Sequence, residues 1–211
     1  YWVWETEKLP EKWRKCAELY DEIWTPSHYS AKAIRNTIDK NVLVKPHNVD
    51  SNTIRKCKPD RKKFSLPKSA YIFGYFFDQK SYLERKNPEA TISAFNLAFS
   101  GRDDVYLLLK TSKPRMGDFK YEWLKSKTKT KNIIWMECEL SREDTYSLMS
   151  SLDAYISLHR SEGFGLTMAE AIAMDKPVIA SSYSGNLEFM TEKNSHLVKT
   201  RAVKIDKTVG P

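Results

Sequence analysis

The residues whose types and spacing could do chemistry concentrate in one stretch, Ser161-Glu162-Gly163-Phe164-Gly165-Leu166-Thr167-Met168-Ala169-Glu170. It follows the apolar run Ala154-Tyr155-Ile156-Ser157-Leu158 and His159-Arg160, and it leads through Ala171-Ile172-Ala173 to Lys176-Pro177-Val178-Ile179-Ala180-Ser181. That order predicts a strand, a Gly-containing turn, a helix, a Pro and a second strand. Gly163 and Gly165 let the backbone approach a ligand closely, and the helix they open presents free N–H groups at the positive end of its dipole. An anion such as a diphosphate suits that place. Glu162 on the loop and Glu170 inside the helix are poor phosphate ligands but good hydroxyl acceptors. The pair therefore points to a ligand with both phosphate and sugar hydroxyls. The helix around Glu170 is apolar nearly all round, so its charge needs a partner, and ribose hydroxyls would serve.

Other candidates lie in neighbouring loops. Arg85-Lys86-Asn87 ends one loop, and Lys110-Thr111-Ser112-Lys113 begins the next. Cations that converge on a Gly turn and a helix start would neutralise a diphosphate. Ordinary surface basicity is the competing reading for Lys110 or any single lysine; Arg85 and Lys86 rise above it because they stand just before a helix. His159 ends a strand at the same edge. A lone His often only satisfies buried polar groups, but the adjoining Gly turn favours ligand contact. Other chemistries fail on spacing. There is no Gly-x-x-x-x-Gly-Lys-Ser/Thr, and Gly163 and Gly165 supply only half of Gly-x-Gly-x-x-Gly. Ser161 is not in a Gly-x-Ser-x-Gly elbow. The four His residues include no His-x-x-x-His, so no metal site is expected.

The elements that must position these residues are legible from periodicity. Glu11–Tyr20 predicts a short helix with Trp13, Cys16, Ala17 and Tyr20 on one face, followed by a strand at Glu22–Thr25, a helix Tyr29–Ile38 capped by Ser27, and a strand Val42–Val44. From Pro46 to Lys68 the basic, Pro-containing sequence predicts an inter-domain linker, with a boundary near residue 48. Thereafter strands at Ala70–Phe77, Val105–Lys110, Asn132–Glu137, Ala154–Leu158, Val178–Ser181 and His196–Lys199 alternate with helices at Pro88–Phe99, Phe119–Ser126, Arg142–Ser151, the Glu170 helix and a short Asn186–Met190. The strands are mostly unalternated, as when helices cover both faces of a parallel sheet. The expected fold is a doubly wound α/β domain, in which ligands bind beyond the carboxyl ends of the strands. The loops at Asp78–Asn87, Thr111–Asp118, Glu137–Arg142, His159–Gly165 and Ser181–Asn186 should converge there.

Composition bounds the rest. The 211 residues fit one large domain or one and a half smaller ones, and 41% hydrophobic content supports a real core. No apolar run approaches the roughly 20 residues that span a bilayer. No signal peptide is visible, and the opening Tyr1-Trp2-Val3-Trp4 has no initiator Met, so a piece of a longer protein is expected. A net charge of +8 suits nucleic acid, nucleotides or an acidic membrane surface. The stretches Lys56–Lys63 and Lys125–Lys131 lack interleaved aromatics and read as solvated basic faces. Cys16, Cys57 and Cys138 are scattered and odd in number, as reduced cysteines of a cytoplasmic protein would be.

Glu162-Gly163-Phe164-Gly165-Leu166, with Glu170 eight positions after Glu162 and Lys176-Pro177-Val178-Ile179-Ala180-Ser181 beyond, resembles the E-x7-E signature of retaining glycosyltransferases of family 4, which have the GT-B fold. Three further stretches resemble the same family. Phe77-Asp78 through Ser81 to Arg85-Lys86-Asn87-Pro88 is similar to its phosphate-binding loop. Pro46-His47-Asn48-Val49-Asp50 is similar to its interdomain linker, and Asp21-Glu22-Ile23-Trp24-Thr25-Pro26-Ser27 to the last strand of its N-terminal domain. The Asn-Pro form of the loop resembles bacterial enzymes that build O-antigen and related surface polysaccharides, often from mannose donors.

The resemblance implies a GT-B protein whose residues 1–47 are the end of an acceptor-binding domain and whose residues 48–211 are a Rossmann-like donor domain. It implies that Arg85 and Lys86 bind the donor diphosphate and that Glu170 binds ribose hydroxyls. Glu162, as the catalytic residue, and the Gly163-Phe164-Gly165 backbone would hold the transferred sugar and the phosphate, and Leu166 would join them; Lys110 and His159, by their place at the same sheet edge, complete the donor set. The donor would be GDP-mannose or a UDP-sugar and the acceptor a glycan or lipid-linked glycan. Neither an obligatory cofactor or metal nor a nucleic acid is implied. The location would be cytoplasmic, with peripheral contact to an anionic membrane as an option. Two departures stand out: Phe77-Asp78-Gln79 replaces a Gly-Arg-Leu, leaving the diphosphate to Arg85 and Lys86, and His47-Asn48 replaces Asn-Gly. With only about 50 residues of the acceptor half expected, the chain should bind nucleotide without catalysing transfer alone; Lys204–Pro211 also stops before the helix that returns to that half. The competing readings are a nucleotide-sugar epimerase of the same fold, disfavoured by the continuous Glu162–Glu170 motif, and a basic polyanion-binding module.

Overall fold

The computed structural model describes residues 1–79, 81–113, 118–126, 128 and 130–203. The end Lys204–Pro211 and the middle of the Thr111–Asp118 loop lie outside them. Two parallel sheets organise the chain. The smaller pairs β1 (Glu22–Thr25) with β2 (Asn41–Val44). The larger contains β3 (Tyr71–Phe77), β4 (Val105–Thr111), β5 (Ile133–Glu137), β6 (Ala154–Ser157), β7 (Val178–Ser181) and β8 (His196–Val198), in the order β5-β4-β3-β6-β7-β8. Every pairing is parallel. This is the expected doubly wound α/β sheet, with its switch point between β3 and β6, where successive crossovers leave in opposite directions and open a crevice.

Its helices are α1 (Arg14–Ala17), α2 (His28–Arg35), α3 (Ser51–Lys56), α4 (Leu83–Lys86), α5 (Pro88–Phe99), α6 (Phe119–Ser126), α7 (Arg142–Ser150) and α8 (Leu166–Ala173). Local chemistry starts several of them. The Ser27 hydroxyl caps α2 by accepting from the Ser30 N–H, and Ser141 caps α7 by accepting from the Asp144 N–H. Pro88 opens α5 directly after Asn87, which takes the left-handed conformation that Asn tolerates.

Two hydrophobic cores match the two sheets. The larger surrounds Ile72, Leu107, Leu108, Leu109, Leu148 and Met149, all essentially inaccessible. Burying each such side chain contributes roughly 1.5–3 kcal/mol. The smaller holds Ile23, Ala31, Ile34 and Val42.

Two expectations need correction. The predicted linker at 46–68 is structured: α3 is capped by Asp50, which accepts from the Thr53 N–H, and Phe64 and Leu66 enter the larger core. Arg61 explains how so basic a stretch can pack. Its guanidinium donates to the carbonyls of Ser151, Pro67, Lys68 and Ala70 and to Asp153, so one partly buried cation satisfies several backbone acceptors. The predicted helix Glu11–Tyr20 reduces to a 3-10 turn at Glu11–Trp13 and the single turn of α1. Trp13 and Tyr20 pack edge-on against Trp2 at 5.7 and 6.0 Å instead of forming a buried helix face.

Candidate functional site

At the carboxyl edge of the large sheet, beside the switch point, lies a cavity of about 420 Å³. Its walls come from the end of β3 (Phe76, Phe77, Asp78), the end of β4 (Lys110, Ser112), the start of α7 and the loop before it (Glu139, Thr145), α4 (Lys86), and the turn into α8 (Glu162, Phe164, Gly165, Leu166, Thr167). Val3, Glu5 and His47, from the amino-terminal part, close the remaining side.

The Gly turn is shaped by backbone demands. Gly165 has φ +89°, immediately before α8, a conformation that favours glycine. Gly163 passes under the amino-terminal segment, where an added Cβ would come within 2.7 Å of Val3 and 3.3 Å of the Trp4 carbonyl. Its own carbonyl accepts from the Ser27 hydroxyl at 2.6 Å and the Ser30 hydroxyl at 3.3 Å. On the other side the Gly185 N–H donates to the Glu162 carbonyl at 2.9 Å, and the Glu162 N–H donates to the Ser184 hydroxyl at 2.8 Å. Phe164 is buried between the rings of His47 and Phe189.

Charge is concentrated where the loop after β3 meets this turn. Glu162, 8% exposed, receives the Lys86 ammonium at 2.5 Å and stands 3.6 Å from the Arg85 guanidinium. Arg85 also pairs with Glu5 at 2.7 Å and donates to the Ser161 carbonyl at 3.0 Å. The loop is pinned so that both cations face the turn. The Tyr75 hydroxyl donates to the Lys86 carbonyl, the Asn87 amide to the Leu158 carbonyl, and the Arg160 N–H to the Arg85 carbonyl. Burial pushes the Glu5 carboxyl above its ordinary range, against the opposing pull of Arg85.

Glu170 is 6% exposed and is not among the residues that wall the cavity. One carboxylate oxygen accepts from the Tyr146 hydroxyl at 3.0 Å, and Tyr146 in turn accepts from Arg142 at 3.0 Å. Burial raises its pKa, while the Tyr146 hydrogen bond and the Arg142 charge oppose that shift. His159 is 1% exposed, and both ring nitrogens are taken: one by the Ser157 hydroxyl, the other by the Tyr183 carbonyl and the Asn186 side chain. Burial lowers its pKa, so the ring is neutral at pH 7.

The structure thus gathers Lys86, Lys110, Glu162, Phe164, Gly165 and Leu166 around one cavity, with Arg85 and Gly163 beside its wall, while Glu170, further along α8, is not part of the wall. His159 is placed differently from the expectation: it braces the Tyr183–Asn186 loop and presents no uncommitted nitrogen to a ligand. Sequence reasoning misses Glu5 and Tyr146. Glu5 lies about 80 positions from its partner Arg85 with no motif around it, and nothing local sets Tyr146 apart within α7.

A family model described as glycosyl transferases group 1 matches residues 61–206. The chain belongs to that family. No curated protein matches it in sequence. Among solved structures, this group 1 member is similar to a glycosyltransferase from Rickettsia africae ESF-5, at 19% identity and TM-score 0.74, over 94% of this chain and 55% of that one. It is similar to Anabaena Alr3699/HepE, crystallised with UDP and glucose, at 19% identity and TM-score 0.71 over 88% and 51%. It is also similar to WaaG, a glycosyltransferase involved in lipopolysaccharide biosynthesis, at 17% and 0.65 over 83% and 48%. These likenesses establish the GT-B fold, and the chain spans about half the length of each structure.

Proposed function

We propose that the chain is the donor-binding half of a retaining family 4 glycosyltransferase. It would take a hexose from a nucleoside diphosphate sugar for delivery to a glycan or lipid-linked acceptor of a surface polysaccharide, on the cytoplasmic side of the membrane. The observation that carries the reading is the Glu162 carboxylate held by Lys86 beside the left-handed Gly165 turn, all walling one cavity. A carboxylate for sugar hydroxyls, cations for phosphate and an open helix start for the same phosphate meet within that space.

In this reading Lys86, Arg85 and Lys110 serve the diphosphate and Glu162 the hexose. Glu170 serves the ribose; its second oxygen has no protein hydrogen bond among the described residues. The bond from the sugar anomeric carbon to the diphosphate breaks with its electron pair on phosphate. Cations and the start of α8 stabilise that charge, and the acceptor hydroxyl oxygen bonds to the same face as its proton passes to the departing diphosphate oxygen, giving retention. UDP and glucose in the Anabaena structure favour a nucleoside diphosphate sugar, with GDP-mannose and UDP-sugars as the donors to separate.

A thermal-shift panel of GDP, UDP, ADP and dTDP sugars tests this. A ligand at a hundred times its dissociation constant stabilises by about 2.7 kcal/mol. Glu170→Ala is expected to abolish the shift while the chain stays folded. No shift with any nucleotide sugar would refute the reading, and an unchanged shift in Glu170→Ala would remove the ribose assignment. Glycosyl transfer by the 211 residues alone is expected at background.

A further inference from the structure

Arg85 is assigned to the diphosphate, yet it does not reach the cavity wall; Glu5 does. The Arg85 side chain is only 11% exposed, and protein acceptors occupy it. One terminal nitrogen donates to the Ser161 carbonyl and faces Glu162; the other is shared by the Ser81 hydroxyl and Glu5. Two of these acceptors are fixtures. The Ser161 carbonyl is backbone at the mouth of the Gly turn, and Ser81 belongs to the same loop, four residues away. Glu5 is different: it arrives from a remote segment, its side chain is 37% exposed, and it stands at the cavity surface in front of the guanidinium.

We infer that Glu5 gates Arg85: its carboxylate and a donor diphosphate compete for the same face of the guanidinium, and binding of the diphosphate displaces Glu5 from it. This rests on the donor-site reading above and adds a residue that opposes binding. The chemistry of the exchange is balanced, one oxyanion replacing another on one cation. The backbone here is pinned to the site, since the Glu5 carbonyl accepts from the Ser161 hydroxyl and the Trp4 carbonyl accepts from Ser30. The partly exposed Glu5 carboxylate therefore leaves by rotation of its side chain. Glu5 is a positioning residue, acting through Arg85.

The test is a double-mutant cycle on the 211-residue chain, with UDP and GDP titrated calorimetrically. Glu5→Gln is expected to tighten nucleotide binding about fivefold, as loss of a competing charge at close range would. Glu5→Asp, which keeps the charge, stays near the parent. In an Arg85→Gln background the gain from Glu5→Gln disappears, because there is no longer a guanidinium to release. If Glu5→Gln does not fold, Glu5→Ser carries the same expectation. Unchanged or weaker binding in the charge-removing variant overturns the gate. So does a gain that survives Arg85→Gln, which would mean simple repulsion through space. If the parent binds neither nucleotide, the donor-site reading fails first and the gate falls with it.

Discussion

At the scale of a residue, burial decides how Glu170 behaves before any ligand is considered. Ionising it inside the apolar packing of α8 is unfavourable, and the Tyr146 hydroxyl and Arg142 only partly offset that. Its folded pKa lies above the ordinary 4.5. Across the window from 4.5 up to the folded value, the folded chain holds a proton that the unfolded chain has lost. Stability from this group therefore falls as pH rises through that window and is flat above it. Glu170→Gln keeps an acceptor for Tyr146 and removes the charge. Its melting temperature should match the parent at about pH 4, where both are neutral, and exceed it by a margin that grows through that window and then levels; melts across about pH 4–8 check this. The same variant should lose nucleotide affinity if ribose hydroxyls need the full carboxylate. The sequence reveals this burial, because Ala169, Ala171, Ile172 and Ala173 surround the charge. It does not reveal the brace at His159, because nothing local distinguishes a histidine aimed at a ligand from one aimed at Ser157 and Asn186.

At the scale of an element, the long periodic pieces were legible and the short ones were not. Six strands and the helices at 88–99, 119–126 and 142–150 follow from apolar period and caps. The single turns of α1 and α4 do not, because a helix that short exists only where tertiary contacts hold it. The sequence predicts only a loop after β3, yet its last turn is α4, which sets Arg85 and Lys86 one after the other at a helix end. Arg61 shows the same limit from the other side: composition reads solvent where the structure has a partly buried cation serving backbone carbonyls. The Gly turn and the loop after β7 meet, as the doubly wound order predicts, but nothing local signals how closely their backbones pack. A Cβ on Gly185 would sit 2.1 Å from the Gly163 carbonyl oxygen and 2.7 Å from the Phe164 nitrogen, all backbone that cannot swing aside. Gly185→Ala should therefore destabilise by about 3 kcal/mol and abolish the nucleotide shift. Gly101→Ala, at φ +76° with nothing within 4 Å, should cost only about 1 kcal/mol and leave binding intact. Denaturant melts and the ligand panel separate the two.

At the scale of the whole molecule, two cores are joined by a polar seam. Ser27 and Ser30 donate to the Gly163 carbonyl, Tyr29 meets Ser161 at 3.0 Å, and Glu188 accepts from the His28 N–H at 2.9 Å. Ser27 does two things with one hydroxyl: it accepts as the cap of α2 and donates across the seam. Aspartate is an equally good cap by local rules but has no proton for the carbonyl. Ser27→Asp should therefore destabilise by about 2 kcal/mol in a melt, despite an equally good helix start. The sequence shows both the cap and the Gly turn; it cannot show that they touch, since 136 positions separate them. The cavity carries one last implication, about modularity. The segment that bears the family likeness, 61–206, and the set of residues that wall the cavity are not the same set, because Val3, Glu5 and His47 lie outside it. Donor affinity is then a property of a pairing, and chimeras that exchange 61–206 between relatives would inherit the grip while meeting a stranger's gate.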